Sequence, residues 1–159
     1  MTAPLDPAFI REAIRISIEK MEANEGGRFG VIVVRNGEII GRGWNQVTST
    51  NDPTAHAEVV AIRDACSRLK TFSLAGCEIY SSCEPCPLCL AAIYWSRLDA
   101  IYYAATCDDA AAAGFDDRHF YREITKPVGE RAISMQQALR DEASVALQTW
   151  MKKEDRIRY

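Results

Sequence analysis

Two short segments, thirty residues apart, place the strongest constraint on how this chain folds. The first carries His56 and Glu58, and the second carries Pro85, Cys86 and Cys89. Cysteines at positions i and i+3 share one face of a helix, and proline is tolerated where a helix begins. One imidazole and two thiolates make three metal ligands, the number of a catalytic zinc site that keeps a fourth position for water. The fold must therefore bring the starts of two helices together.

Glu58 is a candidate for proton transfer beside these three metal ligands. Glu58 follows His56 by two residues, so it does not share the ligand direction of the imidazole. We expect it beside the open fourth position, where it would take a proton from zinc-bound water and pass it to a substrate. The order of ligands and acid also matches the signature of zinc-dependent nucleobase deaminases.

Other interpretations of the cysteines stay open. A Cys-x-x-Cys pair can be a redox pair, although that would leave His56 and Glu58 unexplained. Cys83 precedes Pro85, so we interpret it as a thiol packed in the strand-to-helix turn. The remaining cysteines are interpreted as ordinary buried apolar residues. They are Cys66, Cys77 and Cys107.

The composition favours one cytoplasmic domain. The chain has 159 residues, 48% of them hydrophobic, which is enough for a sizeable core. A net charge of −3 argues against nucleic acid as a partner, because phosphate binding favours a basic face. No apolar run approaches the ~20 residues of a membrane span, and no signal peptide is evident. We therefore expect no membrane partner, and a reducing compartment.

Hydrophobic periodicity predicts alternating helices and strands. The Asn36-Gly37 dipeptide lies between two apolar runs and predicts a hairpin. The predicted strands are residues 29–34, 38–44, 77–81, 100–105 and 132–137. The predicted helices are residues 7–24, 53–69, 85–96, 108–113 and 142–153. Strands alternating with helices imply right-handed crossovers, with helices over both faces of a sheet.

Segments beyond the metal motif resemble one family, the small zinc-dependent guanine deaminases of bacteria within the cytidine/deoxycytidylate deaminase superfamily. The resemblance runs from about Phe29 to the end of the chain. Its most specific parts are the Gly114-Phe115-Asp116-Asp117 turn and the terminal Tyr159. Arg28 stands where the family usually has proline. The matching segments are Asn45, residues 51–58, 82–89, 92–95 and 111–117, and Tyr159.

The resemblance implies a fold and an assembly. The fold would be α/β, a cytidine-deaminase-like three-layer α/β/α sandwich around a mixed five-stranded sheet, with residues 1–159 as a single domain. The assembly would be a homodimer in which residues 143–159, approximately, swap onto the partner subunit. Each subunit would hold one zinc ion on His56, Cys86 and Cys89.

The resemblance also assigns substrate contacts. Asn45 would hydrogen-bond a purine base, while Phe29 and Trp95 would line the ring pocket. Asp117 would meet the amino group that leaves, and Tyr159 would close over the ring from the other subunit. The full set of expected contacts is Phe29, Asn45, Ala57 through its backbone, Trp95, Asp117 and Tyr159.

The reaction that this resemblance implies is hydrolysis of guanine to xanthine and ammonia. Glu58 would protonate a ring nitrogen beside C2, and Asp117 would assist departure of the amine. Three alternatives remain. A guanosine deaminase would need room for ribose, and a tRNA adenosine deaminase would need a basic groove. A zinc-stabilised binding module would have no turnover at all.

Overall fold

The computed structural model describes residues 4–158. The chain divides into two compact units, the first ending at Arg118 and the second starting at His119. The helices of the first unit are α1 (Pro7–Glu22), α2 (Val47–Thr50), α3 (Ala57–Leu69), α4 (Pro87–Trp95) and α5 (Cys107–Ala112). Its strands are β1 (Gly30–Arg35), β2 (Glu38–Trp44), β3 (Glu78–Cys83) and β4 (Ala100–Ala105).

The four strands form one mixed sheet in the order β2-β1-β3-β4. β1 pairs antiparallel with both β2 and β3, and β3 pairs parallel with β4. The predicted hairpin is confirmed: Asn36 and Gly37 both have positive φ, which the tight turn between twisted antiparallel strands requires. The parallel pair directs the ends of β3 and β4 to the same edge of the sheet, and both lead into helices.

Helices cover both faces of this sheet, as the sequence predicted. On one face, Val31 and Val33 of β1 pack in a core with Ala61 of α3 and Ile93 of α4. On the other face, Ile32 lies in a separate core formed with α1. β1 is therefore buried on both sides, which explains why its sequence is a continuous apolar run rather than an alternating one. The α/β/α layering is confirmed.

Two glycines of β2 bring α3 unusually close to the sheet. A Cβ added at Gly43 would lie 2.2 Å from the carbonyl oxygen of Ala57. At Gly41 it would lie 2.7 Å from the carbonyl oxygen of Ala61. Only a hydrogen atom fits at each position, so the two glycines set the distance between α3 and strand β2.

The prediction of a fifth strand at residues 132–137 is wrong. The sheet has four strands within the described residues, and residues 132–137 contain no strand. The backbone amide of Ala132 donates to the Glu123 carboxylate at 2.8 Å instead of to a neighbouring strand. An amide bonded to a helix side chain is not available for a strand ladder.

The boundaries of the two site helices also differ from the prediction. α3 begins at Ala57, four residues later than expected, and α4 begins at Pro87, two residues later. Before α3 the Asp52 carboxylate accepts hydrogen bonds from the Thr54 amide and hydroxyl, at 2.8 and 2.7 Å. Such a local side-chain turn competes with helix formation, so the helix begins later in the sequence.

The second unit consists of short helices with exposed apolar side chains. It contains α6 (Arg118–Thr125, which starts on the last residue of the first unit), a 3₁₀ turn (Val128–Glu130) and α7 (Arg140–Lys152). Neither α6 nor the 3₁₀ turn was predicted. No residue from 119 to 158 is buried, and Ile133 and Leu139 are 80% and 69% exposed. Within residues 4–158, no helix combines the length and the apolar character needed to cross a bilayer.

Candidate metal centre and active-site cavity

The two motif segments meet in space at a cluster of three donor atoms. His56 Nδ1 lies 3.5 Å from Cys86 Sγ and 3.4 Å from Cys89 Sγ. The two sulfurs are 3.5 Å apart, and both cysteines are free thiols. Among the described residues, these three form the group of side chains that could hold a metal ion.

This donor set fits zinc. Two soft sulfurs and one imidazole are typical zinc ligands. Zn–S bonds of ~2.3 Å and Zn–N bonds of ~2.0 Å at tetrahedral angles place neighbouring donors roughly 3.5–3.8 Å apart. The distances between the donors in the structure are within about 0.3 Å of that spacing, so very little movement would accommodate the ion.

Both ligand segments use the start of a helix to aim their donors. His56 is the N-cap residue of α3, and Cys86 is the N-cap residue of α4, with Pro87 as the first helical residue. Unpaired amides and the positive end of the helix dipole favour thiolate at such positions. The neighbouring Cys89 and His56 side chains lower the pKa of the Cys86 thiol to about 4. Cys86 is thereby prepared to bind a cation.

Glu58 is the second residue of α3 and lies directly beside the cluster. Glu58 is only 6% exposed, and its Oε2 lies 3.2 Å from Cys89 Sγ. Burial raises the pKa of the Glu58 carboxyl above its ordinary value. A carboxyl group that is easily protonated and lies next to a metal position is suited to transfer protons there.

A cavity of about 80 Å³ opens over the metal cluster. It adjoins a wider cleft of about 380 Å³, and both are lined by Asn45 and Phe115. All of the residues that line them belong to the first unit. The lining of the inner cavity is Phe29, Asn45, His56, Ala57, Glu58, Cys83, Glu84, Cys86, Ala110, Phe115 and Asp117.

Asn45 is held so that it presents donors to the cavity. Its backbone bonds to Phe29 and Gly27, with Asn45 N donating to Phe29 O at 3.1 Å and Gly27 N donating to Asn45 O at 2.7 Å. Its side-chain Oδ1 accepts from the amide of Val47 at 3.2 Å. Because the oxygen is engaged in this local turn, the amide NH₂ group remains for a ligand.

Asp117 has the complementary character. Its Oδ1 is buried and has no hydrogen-bond partner among the described residues. Burial raises the pKa of the Asp117 carboxyl. A buried polar atom without a partner is costly in a folded protein and is often completed by a ligand. The cavity therefore offers donors at Asn45 and an unpaired acceptor at Asp117.

The structure gathers most, though not all, of the residues that the sequence singled out. Phe29 and Ala57 line the cavity beside the metal cluster. Trp95 does not: it is the last residue of α4 and is 64% exposed. Six residues separate it from Cys89, which turns it to another side of the helix. Tyr159 lies outside the described residues, so its role stays a prediction.

Three of the lining residues, Glu84, Ala110 and Phe115, were not assigned a role by the sequence. Phe115 packs edge-on against Phe29 with ring centroids 5.3 Å apart, and the Arg28 guanidinium lies 5.1 Å from the Phe115 ring. Glu84 stands two residues before Cys86 and faces the same cavity. An acidic residue this close to a ligand motif was the available signal. Cys83 also lines the cavity but lies outside the donor cluster.

Comparison with known proteins agrees with this site. Residues 5–105 match the family model for the cytidine and deoxycytidylate deaminase zinc-binding region. The guanine deaminase of Bacillus subtilis is 50% identical over 142 residues, covering 89% of this chain and 91% of that protein. The tRNA-specific adenosine deaminase of Aquifex aeolicus is 34% identical over 152 residues, covering 91% and 93%.

A solved structure agrees as well. The X-ray structure of Bacillus subtilis guanine deaminase superposes with a TM-score of 0.94 and 46% identity, covering 98% of this chain and 99% of that one. The resemblance inferred from the sequence motifs is thereby confirmed. On the evidence of the family model and of relatives matched over nearly their whole length, the chain belongs to the cytidine and deoxycytidylate deaminase zinc-binding family.

Proposed function

We propose that this protein hydrolyses guanine to xanthine and ammonia. The observation that carries the proposal is the cavity itself, which is lined by His56 and Cys86 of the metal cluster, by the buried Glu58 and by Asp117, whose Oδ1 has no partner among the described residues. Similarity to a guanine deaminase over most of the chain supports the choice of base. During the reaction a C2–O bond forms, the C2–N bond to the amino group breaks, and the nitrogen leaves as ammonia.

His56, Cys86 and Cys89 would hold one zinc ion, which supplies activation of water near neutral pH when it is bound. Glu58 carries the protons: it takes one from the attacking water and delivers it to the ring nitrogen beside C2. Its burial supports this role, because solvent does not compete for the carboxyl. Burial also raises the pKa of Glu58, so the protonated form of its carboxyl group is populated more readily.

The polar groups of the cavity match the edge of guanine. The Asn45 amide donates to an acceptor of the purine, and Asp117 accepts from the amino group on C2 and assists its departure. The backbone of Ala57 contacts the base, and Phe29 forms one aromatic wall of the pocket. A donor at one end and an acceptor at the other favour a base that offers the complementary pair.

We further propose that the protein is a homodimer whose C-terminal segment, about residues 143–159, covers the partner subunit, within a single deaminase domain of residues 1–159. The exposed apolar residues of α7 support this, since Leu147 is 69% exposed in the single chain. Tyr159 would then close over the base bound by the partner. The free state of all six cysteines supports a reducing, cytoplasmic location.

Ammonia release from a panel of substrates tests the proposal. Zinc-loaded protein is assayed with guanine, guanosine, adenine, adenosine, cytosine, cytidine and a tRNA. We expect guanine to have by far the highest kcat/KM. Selective turnover of guanosine would show that the cleft over the site leaves room for ribose.

Turnover of the tRNA alone would assign a polynucleotide substrate, which the net charge of −3 disfavours. Absence of ammonia from every substrate would indicate a non-catalytic zinc module. Reversible oxidation of Cys86 and Cys89, without zinc binding, would indicate a redox protein instead.

A further inference from the structure

Glu84 is a carboxylate in the cavity that neither the metal cluster nor the proposed chemistry uses. It occupies the turn between β3 and α4 and is partly buried. Its backbone amide donates to the carbonyl of Ala105 at 2.9 Å. Its side-chain Oε2 accepts from the amide of Cys107 at 3.0 Å. Main chain and side chain together tie the ligand-bearing turn to the turn that follows β4.

The Cys107 amide is the first of α5, and this short helix depends on such contacts. α5 has only six residues, too few for a helix to be stable on its own. Much of its sequence is alanine, which contributes little apolar contact. Thr106 and Asp109 form a capping box at its start. The Glu84 carboxylate satisfies one more of its free amides, and a negative charge there is also favourable to the helix dipole.

α5 in turn holds both flanks of Asp117. On the upstream side the amide of Phe115 donates to the carbonyl of Ala110 at 2.9 Å. On the downstream side the Arg118 guanidinium lies 3.3 Å from the Asp108 carboxylate of α5. A shift of α5 would therefore move the carboxyl group of Asp117 within the cavity.

We infer that Glu84 is a positioning residue, which fixes α5 to the metal-ligand turn and thereby sets where the Asp117 carboxyl lies in the cavity. This inference rests on the role proposed above for Asp117. It assigns Glu84 a mechanical link between two parts of the site: the β3–α4 turn, which carries Cys86, and α5, whose C-terminal end leads to Asp117. The proton chemistry stays with Glu58 and Asp117.

Two substitutions separate positioning from proton transfer. Glu84→Gln keeps an oxygen that can accept from the Cys107 amide, whereas Glu84→Met keeps the length of the side chain without that oxygen. We expect Glu84→Met to lower kcat by about 10- to 100-fold, the size of one charge-assisted hydrogen bond. Glu84→Gln should recover most of that loss. A Gln variant as impaired as the Met variant would overturn the inference, because a shared defect would mean that the ionisable group itself is needed.

Amide hydrogen exchange supplies a readout that does not depend on turnover. In the zinc-loaded Glu84→Met protein, we expect the Cys107 amide and the segment up to Asp117 to exchange faster than in wild type. The Ala8 amide, which the Asp6 side chain caps at the start of α1, is the internal control and should not change. Unchanged exchange at Cys107 in the Met variant would overturn the inference.

A double-mutant cycle with Asp117→Asn closes the test. If Glu84 acts through Asp117, then Glu84→Met should add little to the loss that Asp117→Asn causes alone. Losses that simply multiply would overturn the inference while leaving the proposed function intact. Full activity of Asp117→Asn would remove the proposed role of Asp117 and the inference with it.

Discussion

The two units of this chain differ in how their apolar residues are used. In residues 4–118, apolar side chains lie in two cores on either side of the sheet, and strand β1 has five buried residues of six. In residues 119–158, no residue is buried, although the segment is rich in apolar side chains such as Ile133 and Leu147. The first unit buries apolar side chains in its own cores, whereas no residue of the second unit is buried within the described range 119–158.

This difference separates a catalytic scaffold from a segment that needs a further surface. Every residue lining the metal cavity comes from the first unit, where rigid packing can hold donor atoms within a few tenths of an ångström. The second unit contributes exposed apolar helices, which are typical of a surface that another chain covers. The predictions below test this separation.

Removal of one metal ligand should have the largest effect. Cys89→Ala should reduce bound zinc from about one ion per chain to nearly none, with loss of ammonia release, because two ligands do not replace three. Bound zinc is measured by elemental analysis of the dialysed protein. Cys83→Ala is the matched control: this thiol lies in the same cavity but outside the donor cluster, so zinc should stay. Equal zinc loss in both variants would contradict the ligand assignment.

The metal centre was predictable from the sequence because its residues are local. His56 and Glu58 are two positions apart, Cys86 and Cys89 are three apart, and each pair begins a helix. The two segments then meet because β2 and β3 both run antiparallel to β1 and therefore end at the same edge of the sheet. The sequence did not predict the position of Trp95, because an aromatic residue close to a motif in sequence need not line the cavity.

Truncating an apolar side chain to alanine should change a different quantity in each unit. Ile79→Ala removes a fully buried side chain of β3 and should lower the free energy of unfolding by about 2–5 kcal/mol. Leu147→Ala removes an exposed side chain and should instead raise the dissociation constant of the proposed homodimer. Denaturant unfolding and analytical ultracentrifugation measure the two quantities. An unchanged dissociation constant for Leu147→Ala, with an unfolding loss as large as that of Ile79→Ala, would break the comparison.

A smaller effect is expected from adding a methyl group at Gly43. The new Cβ would meet the backbone of Ala57 and Ala61 at 2.2–2.4 Å, so α3 must move away from β2. Such overpacking typically costs about 1–3 kcal/mol. Zinc affinity should fall as well, because His56 caps the same helix. Gly129→Ala is a surface control, because Gly129 has open space around it and no positive φ. Normal zinc affinity in Gly43→Ala would show that the close approach does not position the site.

The fold of the first unit was largely predictable. In the second unit the helix predicted at residues 142–153 corresponds to α7, but α6 was not predicted and the strand at residues 132–137 is not formed. The apolar run of β1 and the Asn36-Gly37 turn coincide with what is buried and turned in the structure. The segment at residues 132–137 has a strand-like pattern, but its Ala132 amide bonds to Glu123 instead of a neighbouring strand. Periodicity identifies which residues avoid water and leaves open what will cover them.

The smallest expected effect is a pH dependence at α5. Hydrogen bonds from the Thr106 amide and hydroxyl lower the pKa of Asp109. A lowered pKa means that this carboxylate stabilises the folded state above its unfolded pKa, and that the contribution disappears as the pH falls through the folded pKa. We expect the protection factors of the α5 amides, which are corrected for the intrinsic pH dependence of exchange, to fall at acidic pH before those of the sheet. Asp109→Asn should remove that pH dependence, and an unchanged profile in this variant would contradict the assignment.

The central claim is that Glu58 moves protons beside a metal that three other side chains hold. Its most direct test is zinc-loaded Glu58→Gln, in which bound zinc and ammonia release from guanine are measured on the same sample. We predict about one zinc per chain, as in wild type, and a kcat lower by about 10²–10⁴, the typical contribution of general acid–base catalysis. A fully zinc-loaded variant with a kcat within about tenfold of wild type would contradict the account.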